Sequence, residues 1–423
     1  MKIRTCLTSI LLATAICHAA LGQGALTPPG PPGPGMKTLQ EIYDRISLLE
    51  TQSTTQEEKV EQLQLQNTAL LENTGQTLPW KLSVIDTGGA GDVGKFPSMA
   101  LNPVTLQPAV AYLDSTNDAL KCAIYDGATW TVSTVDTGME DIFNSYHFSL
   151  AFSPAGVINI AYHQATTSTL KLATRSGSSW NIVTVDDLGP SGFTGMFPCL
   201  AFDKQGRPAI SFRAFVPSIY PGALRYANHN GIEWNFTFID TAEESGNNTY
   251  LRFNPVTGYP VVYHVNGNDG IARLREFNGS SWVNTDLGTT YGYVRGIVFM
   301  PDSRPALVAS GNPQLTVGQR APESASFGFA PVDSATYFHA SISATPTGRI
   351  AVTYQSLGTL NLRYAYSSGS SWVLDTVDFA GDVGESSALC INPNTGSPII
   401  SYYDKTNGNL KFAERGVNTT LVP

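Results

Sequence analysis

Charge is scarce in this chain. Asp, Glu, Lys and Arg make up 14% of its 423 residues, and acids outnumber bases to leave a net charge of −9. That balance lacks the basic surface that nucleic acid or an anionic membrane needs, so neither is expected as a partner. Cysteine is scarce too, with five in all, of which Cys6 and Cys17 lie in the apolar N-terminal stretch. Cys122, Cys199 and Cys390 remain inside strand-like runs. They read as buried free thiols, with one disulfide at most. No run is long and apolar enough to cross a bilayer. There is no zinc spacing, phosphate loop or assignable Ser-His-Asp arrangement, so no cofactor and no resident metal is expected.

The N-terminal part is built of short, unlike pieces. Lys2 and Arg4, an apolar core from Leu7 to Ile16 and Ala20-Leu-Gly22 read as an export signal over 1–22. Without it the charge becomes −11, and the mature chain is expected outside the cytoplasm, in a periplasm, on a surface or released. Residues 23–36 carry Thr27-Pro-Pro-Gly-Pro-Pro-Gly-Pro-Gly35, a collagen-like run too short for a triple helix and read as a stiff spacer. Over 37–73, Leu39, Ile42, Ile46, Leu49, Val60, Leu63 and Leu70 hold the a and d places of one heptad frame. Ser53, Gln56 and Asn67 fill the others. This predicts a parallel coiled coil and a homo-oligomer through 37–72; a lone helix folded back on the rest of the chain is the alternative. Residues 74–79 are a linker.

What fills the rest is one unit repeated. Gly369-Ser-Ser-Trp372-Val-Leu-Asp-Thr-Val-Asp378 recurs as a glycine turn, a tryptophan, an alternating run and an aspartate. All six tryptophans, Trp80, Trp130, Trp180, Trp234, Trp282 and Trp372, stand in that slot, and Phe327 stands in a seventh, degenerate copy. The aspartates are Asp86, Asp136, Asp186, Asp240, Asp286, Asp333 and Asp378. Between copies lie three more short alternating segments with Gly, Asn and Asp turns and no helical period. The reading is all-β, a seven-bladed propeller of four-stranded blades over 80–416, with a tail at 417–423. Naming the strands A to D from the inside out, the chain opens on a D strand and ends after a C strand. The N-terminal strand is therefore expected to close the ring by completing the last blade.

The turns Gly127/Trp130, Gly177/Trp180, Gly231/Trp234, Gly279/Trp282 and Gly369/Trp372 resemble the Asp-box of sialidase-type (BNR-repeat) propellers, and whole repeats resemble those of secreted bacterial propellers. The box aspartate is replaced by Tyr125, Arg175, His229, Phe277 or Ser367. A sialidase would also need an arginine cluster, a Tyr/Glu nucleophile pair and an acid/base aspartate. Arg213 and Arg295 supply two arginines, no third stands in register, and no Tyr-Arg-Ile-Pro-like motif precedes them. The resemblance implies the fold, with a sialidase-like glycoside hydrolase or other propeller enzyme as the alternative function.

A residue repeated in every blade usually does a per-blade job. The aspartates are accordingly assigned to the turn that each opens, and Tyr112, Tyr162, Tyr263, Tyr354 and Tyr402 to packing. Function is sought where the repeat breaks. After the strand-B aromatic come Leu113, His163, Arg213, His264, Ser310, Gln355 and Tyr403. The A strands open on Phe96, His147, Phe197, Asn248, Val294, His339 and Ser386. These positions share one face. His147, His163, Arg213, His264, Arg295, His339 and Tyr403 make it a polar, partly cationic mouth for a glycan or small polar ligand. Metal binding by His147, His163 and His264, or histidines merely satisfied in strand ends, are the competing readings.

Overall fold

The structure, a computed structural model, describes residues 79–415 apart from 90, 140–147, 217–219, 289–293, 311–313, 323 and 335–336. The chain divides into two units, 1–63 and 64–423. In the first, Asp44, Arg45, Ser47, Leu48 and Gln52 are described, and all are helical. The signal, the spacer, most of the heptad segment, the linker up to 78 and the tail lie outside the described residues.

The second unit holds seven four-stranded antiparallel sheets. Blade 1 runs from an inner strand Val93–Leu101 to an outer strand Trp130–Thr137. Blade 2 runs from Phe148–Phe152 to Ser179–Asp186, and blade 3 from Phe193–Phe202 to Trp234–Asp240. Blade 4 spans Asn247–Phe253 to Trp282–Gly288 and blade 5 Val294–Phe299 to Phe327–Asp333. Blade 6 begins at Tyr337–Ala344 and ends at Ser371–Asp378. Blade 7 has Val383–Ile391, Pro398–Asp404 and Asn409–Arg415, and its outermost strand is Trp80–Asp86, from the other end of the repeat region. The pairing runs from Trp80 opposite Arg415 to Asp86 opposite Leu410.

The apolar core is not central. It is divided into seven clusters, each filling the seam between two neighbouring blades. Tyr162, Ile160 and Leu150 of blade 2 meet Leu120, Cys122 and Val135 of blade 1, for example. Strand B has seams on both faces, which is why Pro108–Asp114 and Ile158–Gln164 are buried at every residue.

Every outer strand also carries a β-bulge near its end. In blade 1, Leu120 faces Asp136 while Lys121 faces Thr134, so Val135 is the extra residue. A bulge re-aims side chains. Here it sends Val135 into the apolar seam and frees the next residue, the aspartate, to face the neighbouring blade.

Candidate functional site

Six of the seven aspartates stand six residues after their aromatic, and the bulge turns them toward the next blade. Asp86 accepts from the Tyr112 hydroxyl at 2.6 Å and the Lys121 ammonium at 2.7 Å, both in blade 1. Asp136 meets Tyr162 at 2.7 Å and Lys171 at 3.4 Å, and Asp378 meets Tyr402 at 2.7 Å and Lys411. Asp333 accepts from Tyr354 at 2.5 Å. In the seam of blades 2 and 3, Arg225 and Thr194 bind Asp186, each at 2.6 Å, with Phe212 in the tyrosine's place. The second carboxylate oxygen serves the turn: Asp86 accepts from Gly88 N–H at 2.9 Å and Asp378 from Ala380 N–H at 3.0 Å. The tyrosines are therefore more than packing; each hydroxyl named here bonds across a seam. Asp86 and Asp378 are held below the ordinary carboxylate range by these cations, hydroxyls and amides, against the opposing pull of burial.

Asp286 is not equivalent to the other six. It follows Trp282 by four residues, and Gly288 occupies the seam position. Asp286 stays half-exposed and bonds Asn284 and Arg273 of its own blade. The partners are missing as well: Ala309 and Thr316 of blade 5 stand where other blades have Tyr and Lys.

His264 also differs from its sequence alignment. Strand Pro260–Val265 places it opposite Arg273 as Tyr402 stands opposite Lys411, so it occupies the clamp position rather than the one after it. Fully buried, it has Nε2 3.2 Å from Asp240, whose carboxylate also holds Arg275. Its Nδ1 accepts from Gly246 N–H at 3.3 Å, which fixes the neutral tautomer with Nε2–H toward the carboxylate. Burial pulls its pKa down, against the pull of Asp240.

The residues that follow the strand-B aromatic share a task. Buried His163 lies with Nδ1 2.8 Å from Thr194 O, and burial lowers its pKa. Arg213 donates to Asn247 Oδ1 and Glu244 Oε2, both at 2.6 Å. Gln355 donates to Asp382 at 2.7 Å, and Tyr403 to Asp92 at 2.6 Å. Each reaches the loop leading into the next blade or the start of that blade's inner strand, so four different residues solve one seam problem. Their variation reflects seam-specific partners. His339 is half-buried at the head of its inner strand, with Nδ1 2.7 Å from Glu385 O. Arg295 belongs to strand Val294–Phe299, and its side chain, like all of His147, lies outside the described residues. Of the five described side chains, His163, Arg213, His264 and Tyr403 are thus engaged within seams.

Open space lies elsewhere on the axis. A cavity of about 540 Å³ is lined by the inner strands of all seven blades. In four of those strands Phe96, Phe197, Asn248 and His339, within the first five residues, have positive φ, between +32° and +53°. The strands are laced across seams: Ser98 Oγ accepts from Leu150 N–H, Ser149 Oγ from Leu200 N–H and Ser341 Oγ from Leu389 N–H. One level of the lining reads Ala100, Ala151, Ala201, Arg252, Val298, Ser343 and Cys390. Among the described residues Arg252 is the one charged residue in that lining, and it is exposed into the cavity. Its Nη1 touches Leu251 O at 2.8 Å and Cys199 Sγ at 3.7 Å, and it forms no ion pair among the described residues. Cys122, Cys199 and Cys390 are all free, and burial pushes the Cys122 and Cys390 thiols up to about 12. Among the described residues no group of three or more His, Cys, Asp or Glu is placed to hold a metal, and no helix is long and apolar enough to cross a membrane.

No family profile matches the sequence, and no curated protein does. Solved structures do match the fold. Kuenenia stuttgartiensis hydrazine synthase aligns with a TM-score of 0.54 and 11% identity over 77% of this chain and 97% of that one. YCF48 bound to D1 peptide aligns with a TM-score of 0.50 and 14% identity over 80% and 98%. The neighbours include sialidases; the Hadza microbial sialidase Hz136 aligns with a TM-score of 0.45 and 12% identity over 73% and 76%. At such identities the likeness extends to the propeller fold and no further.

Proposed function

We propose that this protein is an exported, non-catalytic binding propeller whose ligand is a polar molecule carrying an anionic group, such as an acidic sugar, held in the axial cavity. The observation that carries this is Arg252. A guanidinium offers paired hydrogen bonds matched to a carboxylate. Left without a carboxylate inside an acidic protein, it is the group around which an anion would be recognised. The small side chains at its level leave room beside it, and His339 stands where the inner strands begin. Arg252 is the last residue but one of its inner strand, so entry is from the face of the A–B and C–D turns, while the sequence reading assigns His147 and Arg295 to the opposite mouth.

Three further features complete the proposal. The Gly-x-x-Trp turns are Asp-boxes that kept the turn and the aromatic and lost the aspartate. Strand Trp80–Asp86 closes the ring, and residues 37–72 form a parallel coiled coil that presents several propellers together, raising weak affinity through multivalency. Calorimetric titration of the full chain with a panel of acidic monosaccharides and simple carboxylates tests the central reading. Arg252→Gln should weaken any binding by about tenfold or more without changing the melting temperature. Equal affinity in the variant would remove Arg252 from the site.

A further inference from the structure

A second site is written into one seam of the ring. In each blade the first aromatic of the outer strand pairs with a strand-C residue. These partners are the replaced box positions together with Arg320 and Arg415. In three seams that residue is an arginine acting as a plug. Arg175 lies 5.1 Å from the Trp180 ring, Arg320 5.2 Å from Phe327 and Arg415 4.6 Å from Trp80. Each also bonds the preceding blade, through Ser133, Glu276 and Asp375 respectively. Two of the indoles share the anchor: Trp180 Nε1 donates to Ser133 at 3.3 Å and Trp80 Nε1 to Asp375 at 2.9 Å.

Between blades 3 and 4 this device is absent. Phe277 replaces the arginine, and Thr237 stands where Ser133 and Asp375 stand in their blades, three residues after the tryptophan. Neither Thr237 Oγ1 nor Trp282 Nε1 makes a hydrogen bond among the described residues. A cavity of about 500 Å³ opens there, lined by Tyr226, Tyr259, Phe277 and Trp282 and by the polar groups of Asn228 and Thr237. That volume falls within the roughly 300–1,000 Å³ of small-ligand pockets. The Tyr226 hydroxyl and the Asn228 amide also lack a hydrogen-bond partner among the described residues. His229 accepts from Gly231 N–H through Nδ1, so its Nε2 carries the proton.

We propose that this seam binds a neutral pyranose, the terminal sugar of a glycan. A pyranose has an apolar face that stacks on an aromatic ring and a rim of hydroxyls that both donate and accept. The seam offers both counterparts: aromatic walls, and hydroxyl, amide and indole groups that the fold leaves unused. The cations nearby are already engaged, Arg207 by Asp203 at 2.7 Å and Lys204 by Val256 O at 3.0 Å. This selects an uncharged sugar over an acidic one. The site lies at the Gly-x-x-Trp turns and does not depend on the axial cavity.

The test is saturation-transfer NMR on the full chain with methyl glycosides of glucose, galactose, mannose, fucose and N-acetylglucosamine. At least one should give transfer with the native protein. Phe277→Arg installs the plug that three other seams use, and should weaken binding about tenfold or more. Tyr226→Phe removes only a hydroxyl and should weaken it about fivefold, which serves also if the first variant fails to fold. Arg252→Gln should leave the transfer unchanged, separating this site from the axial one. No transfer from any glycoside, or transfer indifferent to both seam variants, overturns the proposal.

Discussion

Asp378 and Asp286 end equivalent stretches of the repeat yet should respond very differently to removal. Asp378 is 2% exposed and accepts from buried Tyr402 and partly buried Lys411 across the seam. Asp378→Ala strands a phenol and an ammonium. Breaking a buried pair costs about 3–5 kcal/mol. Lys411 keeps a second carboxylate, Asp404 at 3.6 Å, which places the loss near the lower end, about 3 kcal/mol. Asp286 has a side chain 52% exposed and bonds only within its blade. Solvent screens it, so Asp286→Ala should cost about 0.5 kcal/mol. Unfolding entropy of about 2 cal/mol/K per residue makes the first loss worth roughly 4 °C in a ring of this size, and the second below about 1 °C. Asp378→Asn keeps an acceptor for Tyr402 but loses the charge, and should fall between. Thermal melts at one scan rate, followed by near-ultraviolet circular dichroism, read all three. Equal shifts for Asp378→Ala and Asp286→Ala would mean that the aspartates act through their own turns, and the clamp would be wrong.

Deleting residues 80–87 removes Asp86 from Tyr112 and Lys121 and Trp80 from Asp375. It should give aggregation or a large fall in melting temperature; an unchanged, monodisperse variant would show the strand to be dispensable. Arg213→Ala and His264→Ala should lower the melting temperature, because the first leaves Glu244 without its cation and the second leaves a cavity beside Asp240 in a seam; unchanged melting would free both residues for a ligand. Acid should loosen the ring in two stages. His163 and His264 have pKa values lowered by burial, so the unfolded chain takes up protons first and stability falls as pH drops below about 6.5. Asp86 and Asp378, also lowered, keep their contribution until pH falls below about 4. A flat melting temperature between pH 7 and 5 would contradict the first stage. Sedimentation of the full chain against one lacking residues 1–79 should show an oligomer and a monomer; two monomers would dispose of the coiled coil.

The ring could be read from the sequence because its unit is local. A glycine turn, an aromatic and an alternating run specify a blade within about fifty residues, and strand order followed from where the chain begins and ends within that unit. What could not be read is which blade a side chain faces. Lys411 and Asp378 both recur, but nothing in one blade's sequence says that one belongs to the other across a seam. Asp286 was separable by counting, four residues after Trp282 against six elsewhere. His264 required the register, since strand B of blade 4 carries its aromatic one position early. Arg252 left a readable trace: the matching position is Ala100, Ala151 and Ala201 in the first three blades, and a charge there has no per-blade use.

The seams also show how this repeat fails. Between blades 4 and 5, aspartate, tyrosine and lysine are lost together, replaced by Gly288, Ala309 and Thr316. A buried charge without its partner is costly, so the aspartate and its cation disappear together here, whereas the tyrosine alone is replaceable, as Phe212 shows beside the retained Asp186 and Arg225. That seam keeps its outer plug, with Arg320 bonded to Glu276. The seam of blades 3 and 4 is the reverse. Its clamp is complete, rebuilt as Asp240, His264 and Arg275, while its plug is gone. One fastening holds each of these two seams, and where the inner one is kept the outer edge can be hollow. A cavity between blades 3 and 4 therefore does not weaken the ring as a cavity between blades 4 and 5 would. Converting Asp240 to Ala should lower the melting temperature more than converting Asp378, because no plug remains behind it. A smaller shift for Asp240→Ala would show that the two fastenings do not substitute for one another.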